Sequence, residues 1–223
     1  MKPLFRDRRE AGRALAATLR PKVAGAEPVI LAVPRGGVPV AYEVATRLGA
    51  PLDVCIVRPI EVPKKDGVRM GAVASGRVLI LEQKIVDAFS VSEKDLLRSI
   101  RKQALQISRC EKAYRGEDPA LSITGRSVIL VDDGIAGTNS LVTTVAAVRA
   151  RMPARIVIAA PVATEPSYRQ LLRMVEEVVC LDMPMPFHGV GAYYEDFSEV
   201  SDLDVRRLHA MAQRHLREAT ALN

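Results

Sequence analysis

The sequence predicts an α/β protein built on a doubly wound, mostly parallel sheet with flanking helices. Three observations carry that prediction. Short unbroken apolar runs, the mark of strands buried on both faces, recur along the 223 residues. Amphipathic segments of helical period alternate with them, and such alternation implies parallel pairing through right-handed crossovers. Hydrophobic residues make up 48% of the chain, enough for a packed core. Because aromatics are 4% and Trp is absent, that core must be aliphatic.

Taken in order, residues 7–20 have the spacing of an amphipathic helix that stops at Pro21. "PVILAV" (28–33) reads as a buried strand, "PRGG" (34–37) breaks it, and residues 38–49 read as a helix ended by Gly49. "LDVCIVR" (52–58) predicts the next strand. Residues 59–70, with two prolines, two lysines and a glycine, predict a mobile loop in which Lys64 and Lys65 are solvated charges. "GAVASGRVLIL" (71–81) predicts two short strands turning at Ser75-Gly76. A long helix follows over 92–114: Ser92 and Asp95 form a capping box, and Leu96, Ile100, Ala104 and Ile107 make one apolar stripe. Strands over 127–131, 155–163 and 177–183 alternate with helices over about 140–151 and 167–175. Residues 184–197 are irregular, and Ser201 with Asp204 caps a last helix to about residue 217. We read one domain over 1–223, with a core at about 22–183 and the first helix and the 184–223 tail as additions. There is no internal repeat and no low-complexity tract.

The 32 basic and 26 acidic residues leave a net charge of +6 and a pI near 9.4. The cations are spread along the chain, so nucleic-acid binding is disfavoured for want of a concentrated patch. The richest run, "RDRREAGR" (6–13), reads as a solvated helix face. Cys55, Cys110 and Cys180 are odd in number and far apart, which argues against a disulfide framework and for buried thiols in a reducing compartment. No apolar run reaches membrane-spanning length, and a cytoplasmic, membrane-free protein is the expectation. His209 and His215 lie on the last helix, where surface positions are expected.

The stretch "RSVILVDDGIAGTNS" (126–140) carries the chemistry. An aliphatic strand delivers Asp132 and Asp133 to the carboxyl edge of the sheet, where open parallel sheets bind ligands. Small residues and a helix start follow, the makings of an anion site of main-chain amides. Two carboxylates repel a bare phosphate at short range. A ligand with a sugar between its phosphate and its charged leaving group resolves that conflict, with Mg²⁺ bridging the remaining charges.

"VILVDDGIAGTNS" resembles the signature of the type I phosphoribosyltransferases, and "LAVPRGG" resembles their pyrophosphate loop. The match is closest to bacterial stand-alone phosphoribosyltransferase-domain proteins of unassigned substrate. It extends to the framing segments "FRDRREAGRALAATL" and "VGAYYEDFSEVSDLDV", so it covers nearly the whole chain. The resemblance implies a type I phosphoribosyltransferase-like fold with a variable hood. It implies transfer of ribose 5-phosphate from phosphoribosyl pyrophosphate to a purine- or pyrimidine-like nitrogen base, with release of pyrophosphate. Asp132 and Asp133 would hold the ribose hydroxyls and, through water, Mg²⁺. The loop Gly134, Ile135, Ala136, Gly137, Thr138, Asn139 and Ser140 would take the 5′-phosphate. Arg35, Gly36 and Gly37 would grip the pyrophosphate. His188 would lie near the acceptor, where Tyr193 and Tyr194 would either stack on a base or pack. Related enzymes commonly pair, which implies a homodimer.

Three departures stand out. The order Gly137-Thr138 reverses the family's Thr-Gly, which strains Thr138 by about 1–2 kcal/mol if that position needs φ > 0. Pro59 replaces a lysine, leaving Lys64, Lys65 and Arg69 as cations of a closing lid. Ala136 stands where hypoxanthine and guanine enzymes carry an aspartate, which disfavours a 6-oxopurine. These changes keep open a second reading, a catalytically weak relative that binds phosphoribosyl pyrophosphate or a nucleotide as a regulator.

Overall fold

A computed structural model describes residues 3–23 and 25–221. Five parallel strands form the central sheet: β1 (Val29–Ala32), β2 (Leu52–Val54), β6 (Ser127–Val131), β7 (Arg155–Val162) and β8 (Glu177–Asp182), in the order β2-β1-β6-β7-β8. The pleat divides their side chains between two layers. Ile30, Ala32, Ile129 and Val131 face the layer holding α1 (Arg8–Leu19), α2 (Gly37–Leu48) and α7 (Asp202–Ala221). Val29, Leu31, Val128 and Leu130 face α5 (Asn139–Arg149) and α6 (Glu165–Leu171). Helices on both faces explain why these strands read as continuous apolar runs. The predicted α/β architecture with a mostly parallel sheet is the one observed. No described helix is long and apolar enough to cross a membrane.

The segment between β2 and β6 departs from the sequence reading. The run 52–58 is two strands, not one. β2 ends at Val54, and β3 (Val57–Glu61) begins a separate antiparallel sheet with β4 (Arg69–Ala74) and β5 (Val78–Leu81). The turn sits at Cys55-Ile56, where both residues are buried, so no polar break marks it. The expected loop 59–70 is therefore strand at both ends, with a tight connection over 62–68 in which Lys64 has φ +63° and Gly67 φ +80°. The hairpin turning at Ser75-Gly76 is present. A short helix α3 (Gln83–Ala88) was not evident in the sequence.

The long helix α4 (Glu93–Arg115) starts as its capping residues require, with Ser92 Oγ accepting from the Asp95 amide at 3.1 Å. Its far end is fixed by buried charge. Arg115 donates to Asp53 Oδ1 at 2.5 Å, to the Val54 carbonyl at 2.7 Å and to Glu111 at 2.9 Å. Asp53 Oδ2 also accepts from the Leu121 amide. His209 of α7 completes this cluster, its Nε2 3.7 Å from Asp53 Oδ1. The expectation of a surface His209 is thus corrected: its helix face packs inward, and burial lowers its pKa. His215 is exposed, as expected. Among the described residues the three cysteines are unbridged, and burial pushes the Cys55 thiol up to about 12.

Candidate active site

From β1 the chain crosses to β2 on one side, while β6 leads to β7 and β8 on the other. Two loops therefore leave the sheet's carboxyl edge side by side at a topological switch point. They are the loop 33–37 after β1 and the loop 132–138 after β6. The Val33 amide donates to the Val131 carbonyl at 2.9 Å, and the Asp132 amide to the Ala159 carbonyl at 3.1 Å.

The glycines of the first loop are there for space. A Cβ on Gly36 would lie 2.2 Å from Asp133 Oδ2, and one on Gly37 would lie 2.7 Å from the Val131 carbonyl oxygen. Neither has a positive φ. The structure thus brings Gly36, Gly37, Asp132 and Asp133 together. The Pro34–Arg35 peptide is cis. Arg35 bonds Glu199 Oε1 at 2.8 Å, with both side chains exposed.

The two carboxylates differ in environment. Asp132 Oδ1 accepts the Asp133 amide at 2.9 Å. Burial, and then the adjacent Asp133, raise the Asp132 pKa well above the carboxylate range. Asp133 instead has a cation against it: Arg8 Nε donates to Oδ2 at 2.8 Å. The Asp133 carbonyl accepts from the Tyr194 hydroxyl at 2.6 Å, and burial raises the pKa of that phenol.

Arg8 was not recognised as a site residue. The expected solvated face holds for its neighbours in the run, but Arg8 is buried in the same stripe as Ala11, Gly12, Leu15, Ala16 and Leu19. Its i, i+3, i+4, i+7 phase with those residues was the signal available in the sequence.

The second loop is anchored by Ile135, whose amide donates to Val162 and whose carbonyl accepts from Thr164, each at 2.9 Å. Thr138 adopts φ −100°, ψ −12°, so the strain considered for the reversed Gly-Thr order does not arise. Its hydroxyl donates to Gln170 Oε1 at 3.0 Å. α5 begins without a side-chain cap. Among the described residues the amides of Gly137, Thr138, Asn139 and Ser140 have no acceptor within the protein. Unsatisfied amides at the positive end of a helix form an anion site.

Two hollows flank that helix start. One, of about 520 Å³, is bordered by Arg69, the 137–140 loop and Gln170. The other, of about 510 Å³, opens between Arg35, β3 and α4, and is bordered by Arg58, Arg69, Tyr114 and Ser140. The acidic pair lines neither. Arg69 borders both, its guanidinium 3.4 Å from the Asn139 carbonyl. The small antiparallel sheet thus brings arginines, rather than Lys64 and Lys65, to the helix start. Pro59 lines the second hollow.

The tail tyrosines are packing residues. Tyr193 stands against Phe187 and accepts from the His188 amide at 3.2 Å, while Tyr194 stacks on Phe197. His188 borders neither hollow. Among the described residues no three His, Cys, Asp or Glu side chains converge as a metal cage. One or two carboxylates are nevertheless the usual protein share of a Mg²⁺ site completed by phosphate oxygens, so the residues present fit that ion.

The chain is similar to known proteins. The family model for the phosphoribosyl transferase domain matches residues 7–195. Two Mycobacterium tuberculosis proteins, from strains CDC 1551 and H37Rv, are provisionally named phosphoribosyl transferases. Each is 35% identical to the chain over 220 residues, covering 99% of the chain and 49% of the relative. The chain thus spans about half the length of these curated relatives. The crystal structure of TT1426 from Thermus thermophilus superposes with a TM-score of 0.81 at 40% identity, covering 93% of this chain and 98% of that one. The chain belongs to the phosphoribosyl transferase domain family.

Proposed function

We propose that the protein transfers ribose 5-phosphate from phosphoribosyl pyrophosphate to a nitrogen base and releases pyrophosphate. One observation carries this reading: an acidic pair and an uncapped helix start leave the same strand, a few residues apart, at the switch point of the sheet. The open amides of 137–140 take the 5′-phosphate, assisted by the cation of Arg69. Asp132 and Asp133 accept from the ribose hydroxyls. Arg35 exchanges its exposed bond to Glu199 for the pyrophosphate, a change made easy by the low worth of a solvated ion pair.

Bond breaking at C1 leaves positive charge on the sugar, as in glycoside cleavage. The fixed carboxylates favour that charge, and the arginines favour the departing anion. Asp132 and Asp133 would hold Mg²⁺ through water, and the ion would supply further neutralisation of the pyrophosphate charge. The acceptor nitrogen then attacks C1. Ala136 and the absence of a hydrogen-bonding side chain there fit an acceptor other than a 6-oxopurine.

A second reading, a regulator that binds the same ligand without turnover, is favoured by Pro59 in the cationic hollow. Calorimetry of phosphoribosyl pyrophosphate with and without Mg²⁺, followed by assay of pyrophosphate release over a panel of bases, tests both. Mg²⁺-dependent binding with turnover supports the transferase, and binding without turnover on any base supports the regulator. Unaltered binding in D132N/D133N sinks both.

A further inference from the structure

The first helix and the tail converge on one carboxylate of the acidic pair. Arg8 Nε bonds Asp133 Oδ2 at 2.8 Å, and its Nη1 bonds the Ser198 carbonyl at 2.8 Å. The guanidinium carbon lies 3.7 Å from the centre of the Phe197 ring, a cation–π contact that fixes its plane. Tyr194 holds the Asp133 carbonyl, and Gly36 closes on the carboxylate from the first loop. Only 10% of the Arg8 side chain and 14% of the Asp133 side chain are exposed, so this is a desolvated pair rather than a solvated one.

The pairing matters because the ligand is a polyanion. Two uncompensated carboxylates beside a sugar that carries a phosphate and a pyrophosphate would repel both groups at short range. A cation brought from inside the fold cancels one of them without occupying the ligand's own space. We propose that Arg8 is a positioning residue of the sugar site, fixing Asp133 and neutralising its charge. This rests on the reading of the site as one for phosphoribosyl pyrophosphate.

The charge role separates from a mere latch on the tail. Arg8→Met strands the Asp133 charge, and calorimetry with phosphoribosyl pyrophosphate and Mg²⁺ should show affinity falling by about tenfold or more. R8M/D133N removes the stranded charge and should bind at least about threefold more tightly than R8M. A latch, or a direct bond from Arg8 to ligand, predicts a double variant no tighter than R8M, and that result overturns the proposal. Wild-type affinity in R8M does the same. Should R8M fail to fold, R8M/D133N is compared with D133N instead. Equal affinity upholds a role exercised only through Asp133, and a double variant weaker by more than about threefold refutes it. D132N is run alongside. Unweakened binding in D132N defeats the assignment of the ligand, whereas weakened D132N with unaltered R8M defeats the role of Arg8 alone.

Discussion

Asp132 is the residue at which function and stability oppose each other. Its proton is held more tightly in the folded chain than in the unfolded one, because burial and Asp133 both disfavour the anion. A raised carboxyl pKa contributes stability that is complete below the unfolded value and is lost as pH rises through the folded one. Wherever Asp132 is ionised in the folded chain, its charge is therefore a liability that ligand binding must offset. D132N should raise the melting temperature of the unliganded protein at pH 7 by about 2–4 °C, the shift that roughly 1 kcal/mol gives at this size. It should also abolish calorimetric binding of phosphoribosyl pyrophosphate. A variant that melts lower than the parent contradicts the strained pair. The acidic pair and the two glycines were legible in the sequence, because strand, charge and small residues follow one another along the chain. Arg8 was not, since its partner lies 125 positions away and nothing local links them.

At the scale of elements, the end of α4, the strand β2 and the body of α7 meet on Asp53. Its side chain is 2% exposed and that of Arg115 is 3%. Removing one member of such a pair leaves a buried charge without its counterion, so R115M should cost about 3–5 kcal/mol by denaturant unfolding. A loss below about 1 kcal/mol would show that the cluster is solvated in solution. His209 adds a pH dependence. Its folded pKa is lowered by burial, so its contribution is complete above the unfolded value and is lost as pH falls from there through the folded one. Between pH 7.5 and 5.5, about the range of an ordinary histidine, the parent should lose more stability than H209L. Equal losses in the two denaturation midpoints would rule this out. The sequence placed α4 correctly because capping residues and an apolar stripe are local signals. The break between β2 and β3 escaped it because Val54 to Val57 are all apolar and the turn at Cys55-Ile56 is buried.

Over the whole molecule, rigidity is unevenly distributed. β1, β6 and β7 are buried almost throughout, whereas β3 and β5 are partly exposed and their sheet has only three strands. Hydrogen exchange should accordingly be slowest in the five-stranded sheet and fastest in residues 57–81 of the small one. Phosphoribosyl pyrophosphate with Mg²⁺ should slow exchange at the amides of 137–140 and in the small sheet around Arg69, which borders both hollows. Protection confined to the large sheet would show that the small one takes no part in binding.

The sequence by itself determined the layered α/β architecture, the strand that ends in Asp132 and Asp133, and the small residues of the two loops. Those features are written in hydrophobic period, charge and side-chain size over a few adjacent residues. Only the tertiary structure decided that Asp133 is paired while Asp132 is not, that arginines of a separate small sheet border the helix start, and that His209 is buried. Each of those depends on which distant side chain arrives at a given place, and burial and charge act through space rather than along the chain.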